Sequence, residues 1–216
     1  MMIGYTKIKT TLLILCFSII SLNAYSESFV EGVHYKKITP SVGTSDSSKI
    51  EVLELFSYGC PHCNSFEAPM HQWLKNKPAN VNFGRRPVSF GRQIWANYAQ
   101  AYYTAEILDV LDKVHGPIFN AIHKEKNQLA DVASIRELFI KNGVSGDDFE
   151  SGFYSFAVDA RLRRDQRTLG KYQGNSVPTM IVNGKYRIDS SMTGHSNDKM
   201  LEVVNYLIKK ESSKTK

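Results

Sequence analysis

The chain has 216 residues, of which 42% are hydrophobic and 22% charged, with 14 Gly, 7 Pro and 3 Cys. This composition is typical of a globular protein and excludes collagen-like, disordered and disulfide-dense chains. The 27 Lys and Arg against 21 Asp and Glu give a formal net charge of +6, a mild excess from which we expect no nucleic-acid partner.

The N-terminal region has the layout of a secretory signal peptide. Lys7 and Lys9 form a short basic region, and the apolar stretch TLLILCFSIISL (11–22) that follows is too short to span a bilayer comfortably. The small-residue pattern at 24–26 favours cleavage after residue 26, with cleavage after residue 24 as the alternative. We therefore expect 1–26 to be a signal peptide removed on export; an uncleaved membrane anchor is the other interpretation.

Export changes how the cysteines are interpreted. Cys16 would leave with the signal peptide, and the large residues before it argue against a lipid anchor. Removal of 1–26 lowers the formal net charge from +6 to +4, because it takes away two lysines and no acid. Cys60 and Cys63 then remain, in a compartment where disulfides form and persist.

After the signal region, predicted strands and helices alternate. The dense apolar run at 49–60 suits a central strand buried on both faces. From Pro61, which fits a first helical position, apolar residues recur every three or four positions up to Trp73. Pro78 ends this helical pattern, and 81–85 predicts a second strand.

The middle of the chain is helical and the end returns to strands. Residues 93–173 are continuously helix-like, with Gly143 as a C-cap and a capping-box spacing at 145–148. The segment 179–189 contains two apolar runs around Asn-Gly, which is a strong hairpin signal. A last amphipathic helix is predicted at 197–210.

This order of elements predicts an α/β fold into which a helical domain is inserted. We expect the first part of the α/β domain at 27–91, the inserted helical domain at 92–170 and the second part of the α/β domain at 171–216. No internal repeat interrupts this organisation.

The motif Cys60-Pro61-His62-Cys63 lies where the predicted strand meets the predicted helix. Two cysteines at this spacing can close a small disulfide ring, and the free N–H groups and dipole of the helix N-terminus stabilise a thiolate on the first sulfur. His62 adds a donor or a positive charge to the same sulfur. A stabilised thiolate favours the dithiol, so the disulfide form would be a strong oxidant that donates its disulfide.

Three other interpretations of the cysteine pair are weaker. A structural disulfide across so short a loop would remove little entropy from the unfolded chain. A zinc site needs roughly four ligands, but neither a second Cys pair nor a suitably spaced His pair follows. Attachment of a c-type haem requires His directly after the second cysteine, where this chain has Asn64. We therefore expect no metal and no cofactor besides the redox-active disulfide itself.

The stretches VLELFSYGCPHCNSFE (52–67) and SVPTMIVNGKY (176–186) resemble the DsbA family of bacterial periplasmic thiol:disulfide oxidoreductases, in the thioredoxin superfamily. The resemblance implies a thioredoxin-like fold with an inserted helical domain and a periplasmic location. An acidic active-site cysteine and an oxidising couple are known properties of that family and are implied in the same way. The implied partners are reduced exported polypeptides and a DsbB-like, quinone-linked membrane oxidase that restores the disulfide.

The same resemblance implies roles for individual residues. Cys60 would be the exposed nucleophile that forms a mixed disulfide, and Cys63 the buried partner. Val177, Pro178 and Thr179 would form the substrate-binding loop beside the disulfide, with a cis peptide bond before the proline. For Pro178 alone, a proline at the entry to a strand is the other interpretation.

Glu54 would help to move a proton to or from the buried cysteine. A carboxylate in an apolar strand needs a partner, which Arg85 could supply, although a surface pair at a strand edge is an equal alternative. Tyr58 and Gly59 before the motif, and Thr179 after the proline, depart from the family pattern at positions expected to touch the substrate groove. The other histidines are expected at the surface or in packing: His34, His71, His115, His123 and His195.

Two other functions remain open. An isomerase or reductase of the same superfamily is the nearer one, although residues 27–49 are too few for the dimerisation domain that isomerases of the DsbC type usually carry. A non-catalytic peptide-binding module would keep the substrate groove without redox turnover.

Overall fold

The computed structural model describes residues 28–213, so the predicted signal peptide and Cys16 lie outside the described part. A five-stranded mixed sheet has the order β1-β5-β4-β2-β3, with β2 parallel to β3 and antiparallel to β4. The strands are β1 (Lys36–Lys37), β2 (Ile50–Phe56), β3 (Val81–Pro87), β4 (Thr179–Val182) and β5 (Tyr186–Asp189).

The helices fall into two groups. Five of them follow one another between β3 and β4, which confirms the predicted helical insertion; the domain boundaries stay a prediction. The other two, first and last in the chain, pack on the sheet. In chain order they are α1 (Pro61–Asn76), α2 (Gln93–Ile107), α3 (Leu111–His123), α4 (Val132–Lys141), α5 (Gly146–Phe153), α6 (Phe156–Leu169) and α7 (Asn197–Ser212). The arrangement is a thioredoxin-like α/β fold.

β2 is the central strand that the apolar run predicted. All seven of its residues are buried, because β3 and β4 flank it and side chains cover both faces. Val52 packs in the core under α1 and α7, whereas Leu53 and Leu55 pack in a separate cluster with Tyr172 on the opposite face. Alternate residues of the strand thus enter two cores, as a doubly covered strand requires.

α1 begins at the predicted residue and buries the predicted face. Pro61 occupies the first helical position, and the buried residues Cys63, Phe66, Met70 and Trp73 keep the three-to-four-residue spacing. The Trp73 indole Nε1 donates to Asn205 Oδ1 at 2.8 Å, which ties α1 to α7.

The Asn-Gly hairpin is also confirmed. Asn183 and Gly184 have φ of 54° and 60°, and the Lys185 N–H donates to the Val182 carbonyl at 3.0 Å. A Cβ at position 184 would overlap the carbonyl of Val42, so this turn requires glycine for space as well as for its backbone angles.

The inserted helices and the sheet share one core at the redox motif. Phe56, Tyr58, Cys60 and Cys63 belong to the same buried cluster as the apolar faces of α2 and α3. The cysteines therefore lie at the junction of the sheet and the insertion. Among residues 28–213, no helix is both long enough and apolar enough to cross a membrane.

Candidate active site

The two cysteines lie at the start of α1 in different environments. Both are free thiols; Cys60 is the N-cap residue, and Cys63 lies one turn further along on the buried face. Cys63 is inaccessible, and only 6% of Cys60 is exposed. The expectation that Cys60 is exposed was therefore wrong: the Cys60 thiol faces the loop before β4 and donates to the Val177 carbonyl oxygen, with 3.4 Å between Sγ and oxygen.

Acidity separates the two sulfurs. The pKa of Cys60 falls to about 6, first because the Cys63 thiol donates a hydrogen bond to it; burial opposes this, while the N–H groups of Cys63 and His62 and the charge of His62 add to it. The pKa of Cys63 rises well above its usual range, because the thiol is buried and lies near the charges of Cys60 and Glu54. Near neutral pH the pair is one thiolate and one thiol.

The imidazole of His62 stands on the exposed side of the motif. It stacks on the ring of His195, with 6.2 Å between centroids and 27° between planes. His195 follows β5 and is exposed, as expected, but its position beside the redox motif was not predicted.

The loop before β4 meets the cysteines from the other side. The bond between Val177 and Pro178 is cis, as the resemblance implied. Thr179, however, is fully buried in β4, and its hydroxyl donates to the Ser176 carbonyl at 2.8 Å. Tyr58 is also fully buried, so the expectation that the side chains of Tyr58 and Thr179 touch a substrate groove was wrong.

Gly59, the third position that departs from the family pattern, lies under an aromatic surface. A Cβ at Gly59 would overlap the indole of Trp95. The Arg92 guanidinium lies 4.4 Å from the centroid of that indole, and the half-exposed ring of Phe90 lies 6.3 Å from it. Phe90, Arg92 and Trp95 therefore flank the motif on the side of the insertion.

Glu54 has the partner that its burial required. Its register neighbour on β3 is Arg85, whose Nε donates to Glu54 Oε2 at 2.9 Å. Glu54 is fully buried and the Arg85 side chain is 15% exposed, so the surface-pair alternative is wrong. Within residues 28–213, no donor reaches the second carboxyl oxygen of Glu54, Oε1.

Because burial is only partly compensated by Arg85, the pKa of Glu54 is higher than that of an ordinary carboxyl group. Burial raises its pKa to about 7; the charge of Arg85 lowers it, and the nearby charge of Glu67 raises it further. Glu54 can therefore hold or release a proton near neutral pH, and its charge raises the pKa of the buried Cys63 thiol.

Two further polar residues join this group, and sequence reasoning missed both. Glu67 on α1 lies 3.4 Å from Arg85 Nη2, and His115 on α3 lies 3.1 Å from Glu67 Oε2. Glu67 is four residues after Cys63, so helical spacing could have indicated an acid beside the buried thiol. His115 carries no such signal, since its partners are far away in sequence.

Thiol chemistry is what this site offers. Among the described residues, no three His, Cys, Asp or Glu side chains are grouped so that they could hold a metal ion. The site instead combines an acidic thiol, a buried neutral thiol and a buried carboxyl group that titrates near neutrality.

Comparisons with known proteins agree with this chemistry. The family model for a DSBA-like thioredoxin domain matches residues 51–207. The thiol:disulfide interchange protein DsbA of Pseudomonas aeruginosa is 37% identical over 199 residues, covering 92% of this chain and 93% of that protein. The DsbA of Pseudomonas syringae pv. tomato is 39% identical over 191 residues, covering 88% of each. A crystal structure of Pseudomonas aeruginosa DsbA matches with a TM-score of 0.82 at 37% identity, over 87% of this chain and 96% of that one.

Proposed function

Because the chain belongs to the DsbA family of thiol:disulfide oxidoreductases, we propose that it oxidises newly exported proteins by donating the Cys60–Cys63 disulfide, with Cys60 as the sulfur that is attacked. The observation that carries this assignment is the opposite acidity of the two thiols. A low pKa makes Cys60 a stable leaving thiolate, whereas the high pKa of Cys63 makes that sulfur take up a proton.

Disulfide donation takes two exchange steps. A substrate thiolate attacks Cys60 Sγ of the oxidised enzyme, the bond between Cys60 and Cys63 breaks, and Cys63 leaves with the electron pair. A second substrate thiolate then attacks the substrate sulfur of the mixed disulfide, and Cys60 leaves as a thiolate. The substrate dithiol has lost two electrons and two protons: the enzyme disulfide has gained the two electrons, Cys63 takes up one proton, and the other passes to solvent.

Glu54 manages the proton in the first step. Cys63 emerges as a buried thiolate, which its surroundings disfavour, and we assign the neutral carboxyl of Glu54, whose charge acts on the Cys63 pKa, as the acid that protonates it. Proton transfer from Glu54 gives the Cys63 thiol and leaves a carboxylate that Arg85 stabilises. The reverse transfer would assist reoxidation.

The loop of Val177 and Pro178 supplies the surface where a substrate chain lies. The Val177 carbonyl faces Cys60 and can accept a hydrogen bond from an extended peptide once that sulfur is engaged. A structure of Proteus mirabilis DsbA contains a non-covalently bound peptide of sequence PWATCDS; it matches this chain at 28% identity with a TM-score of 0.72. We assign reduced cysteine-containing polypeptides to the same surface here.

Compartment and regeneration complete the proposal. Residues 1–26 act as a signal peptide and the mature protein works in the periplasm, where a DsbB-like membrane oxidase restores the disulfide. The exchange chemistry needs no cofactor beyond that disulfide. Residues 27–91 and 171–216 form the thioredoxin-like domain around the insertion at 92–170.

The redox equilibrium of the purified protein with glutathione tests the direction of the reaction. Membership of the DsbA family predicts a couple much more oxidising than that of thioredoxin, about −270 mV, and the stabilised Cys60 thiolate contributes to that difference. A potential near the thioredoxin value would indicate a reductase. Refolding of a scrambled disulfide protein distinguishes the isomerase alternative, which would reshuffle wrong disulfides. Unchanged activity of Cys60→Ser on reduced substrates would instead favour a peptide-binding module.

A further inference from the structure

His115, on α3 of the insertion, contacts the group of buried charged residues beneath the redox motif. Only 14% of its side chain is exposed; its Nδ1 lies 2.7 Å from the Tyr58 hydroxyl and its Nε2 lies 3.1 Å from Glu67 Oε2. Phe56 and Phe119 pack against the ring with centroid distances of 5.8 and 5.3 Å. Both ring nitrogens therefore have partners, and packing fixes the plane of the ring.

The partners determine where the ring carries its proton. Burial raises the pKa of Tyr58 well above its usual value, so the phenol keeps its proton and donates it. Burial also lowers the pKa of His115, against the opposing effect of Glu67, so the imidazole is neutral at neutral pH. Nδ1 then accepts from Tyr58, and the Nε2–H donates to the Glu67 carboxylate.

Glu67 is one of two carboxylates that compete for a single guanidinium. Arg85 donates from Nε to Glu54 at 2.9 Å and reaches Glu67 from Nη2 at 3.4 Å. Burial raises the pKa of Glu67, but the hydrogen bond from His115 and the charges around it lower that pKa by more, so Glu67 is ionised. The charge on Glu67 in turn disfavours ionisation of Glu54, which burial already disfavours.

We infer that His115 is a positioning residue: it holds the Glu67 carboxylate against Arg85, so that Glu54 receives only part of the Arg85 charge and keeps a proton available for Cys63. The inserted helices thereby control proton transfer in the sheet domain through one hydrogen bond. This inference rests on the proposed proton-transfer role of Glu54. The titratable groups that face Glu67 and His115 are Arg85, Glu54, His71, Asp112 and Tyr58, and the phenol of Tyr102 faces Arg85.

Direct titration of Glu54 tests the inference without measuring activity. Side-chain carboxyl resonances of carbon-13 glutamate are followed with pH in the full-length oxidised protein, and Glu54→Gln assigns the signal. In His115→Phe, which keeps an aromatic ring but no donor, Glu67 can turn to solvent and Arg85 pairs fully with Glu54. The Glu54 midpoint should then fall by about one pH unit or more, as expected for a carboxyl group given a close opposite charge.

Four variants separate positioning from a packing effect. His115→Gln can still donate to Glu67 and should keep the wild-type midpoint. Glu67→Gln should lower the midpoint as His115→Phe does, and the double variant should shift it no further, because both changes act through one carboxylate. His123→Phe, on the same helix but bonded to the Tyr58 backbone carbonyl at 2.7 Å, is the matched control and should leave the midpoint unchanged.

An unchanged Glu54 midpoint in folded His115→Phe would overturn the inference, and so would additive shifts in the double variant. If His115→Phe does not fold, His115→Leu takes its place, because it also removes the donor to Glu67 and carries the same expected fall in the Glu54 midpoint. Failure of the proposed function would show differently: Cys60 would form no mixed disulfide with substrate peptides, whatever the titration of Glu54.

Discussion

The acidity of Cys60 predicts a change in the pH dependence of the redox potential. The Cys60 pKa is lowered to about 6 from an ordinary value of 9.0. Below the lower value, reduction of the disulfide takes up two protons with two electrons, so the potential should fall by about 59 mV per pH unit. Above it, Cys60 stays ionised and only Cys63 takes up a proton, so the slope should halve to about 30 mV per pH unit.

The same pKa gives the size of the effect at pH 7. Ionisation with a pKa of about 6 in place of 9.0 favours the reduced state by RT ln 11, or about 1.4 kcal/mol. For a two-electron couple this raises the potential by about 30 mV. Because the pKa of Cys60 is lowered, ionisation of Cys60 stabilises the reduced folded protein. This stabilisation is complete above pH 9.0 and is lost as the pH falls through about 6.

Equilibration with glutathione buffers at a series of pH values measures the slope. The ultraviolet absorbance of the thiolate, with Cys60→Ser as the blank, gives an independent midpoint. His62→Leu removes the charge that helps to lower the Cys60 pKa and leaves the backbone N–H donors. The pH at which the slope changes should therefore be higher in this variant, but the change of slope should remain. A slope that stays near 59 mV per pH unit up to pH 8 would refute the reasoning, since Cys60 would then be an ordinary thiol.

Three further predictions concern stability. Burial raises the Glu54 pKa from 4.5 to about 7, so ionisation of Glu54 destabilises the fold as the pH rises between these values. When the oxidised proteins are unfolded in urea, the unfolding free energy of Glu54→Gln relative to wild type should increase by about 2–3 kcal/mol between pH 4.5 and pH 8. A difference that does not vary with pH would contradict this. Gly59→Ala should cost about 1–3 kcal/mol because its Cβ meets Trp95, whereas Gly170→Ala, with no atom within 4 Å of its Cβ, should be neutral; equal costs would rule out the clash. Ser155→Ala should lower the unfolding free energy by about 1 kcal/mol, because its hydroxyl caps α6 at the Val158 N–H, and an unchanged denaturation midpoint would argue against that cap.

Much of the sheet domain could be predicted because its elements carry local signals. The uninterrupted apolar run of β2, Pro61 at the start of α1 and the Asn183-Gly184 turn each determine their structure within a few residues. A local signal also shows which cysteine of the redox motif is the more acidic, since a helix N-terminus lowers the pKa of the first cysteine of such a motif.

The polar network under the motif could not be predicted in this way. The pairs His115 with Tyr58 and His115 with Glu67 join residues 57 and 48 positions apart, so no periodicity brings them together. The wrong placement of Thr179 has a different physical cause. All four residues of β4 are buried and so is Pro178 before it, so Thr179 lies inside the protein whichever face its side chain takes, and the sequence pattern does not show that both faces of so short a strand are covered.

Formation of a mixed disulfide at Cys60 is the most direct test of the central claim. Cys63→Ser, whose hydroxyl can still donate to the Cys60 sulfur, and Cys60→Ala are each mixed with a peptide whose cysteine is activated as a disulfide with thionitrobenzoate. The Cys60 thiolate of Cys63→Ser should displace thionitrobenzoate rapidly at pH 7 and give a stable adduct, visible by mass spectrometry, that contains one peptide per protein. Cys60→Ala should react far more slowly, because the buried Cys63 thiol is protonated at that pH. Equal rates for the two variants, or an adduct on Cys63 alone, would contradict the account.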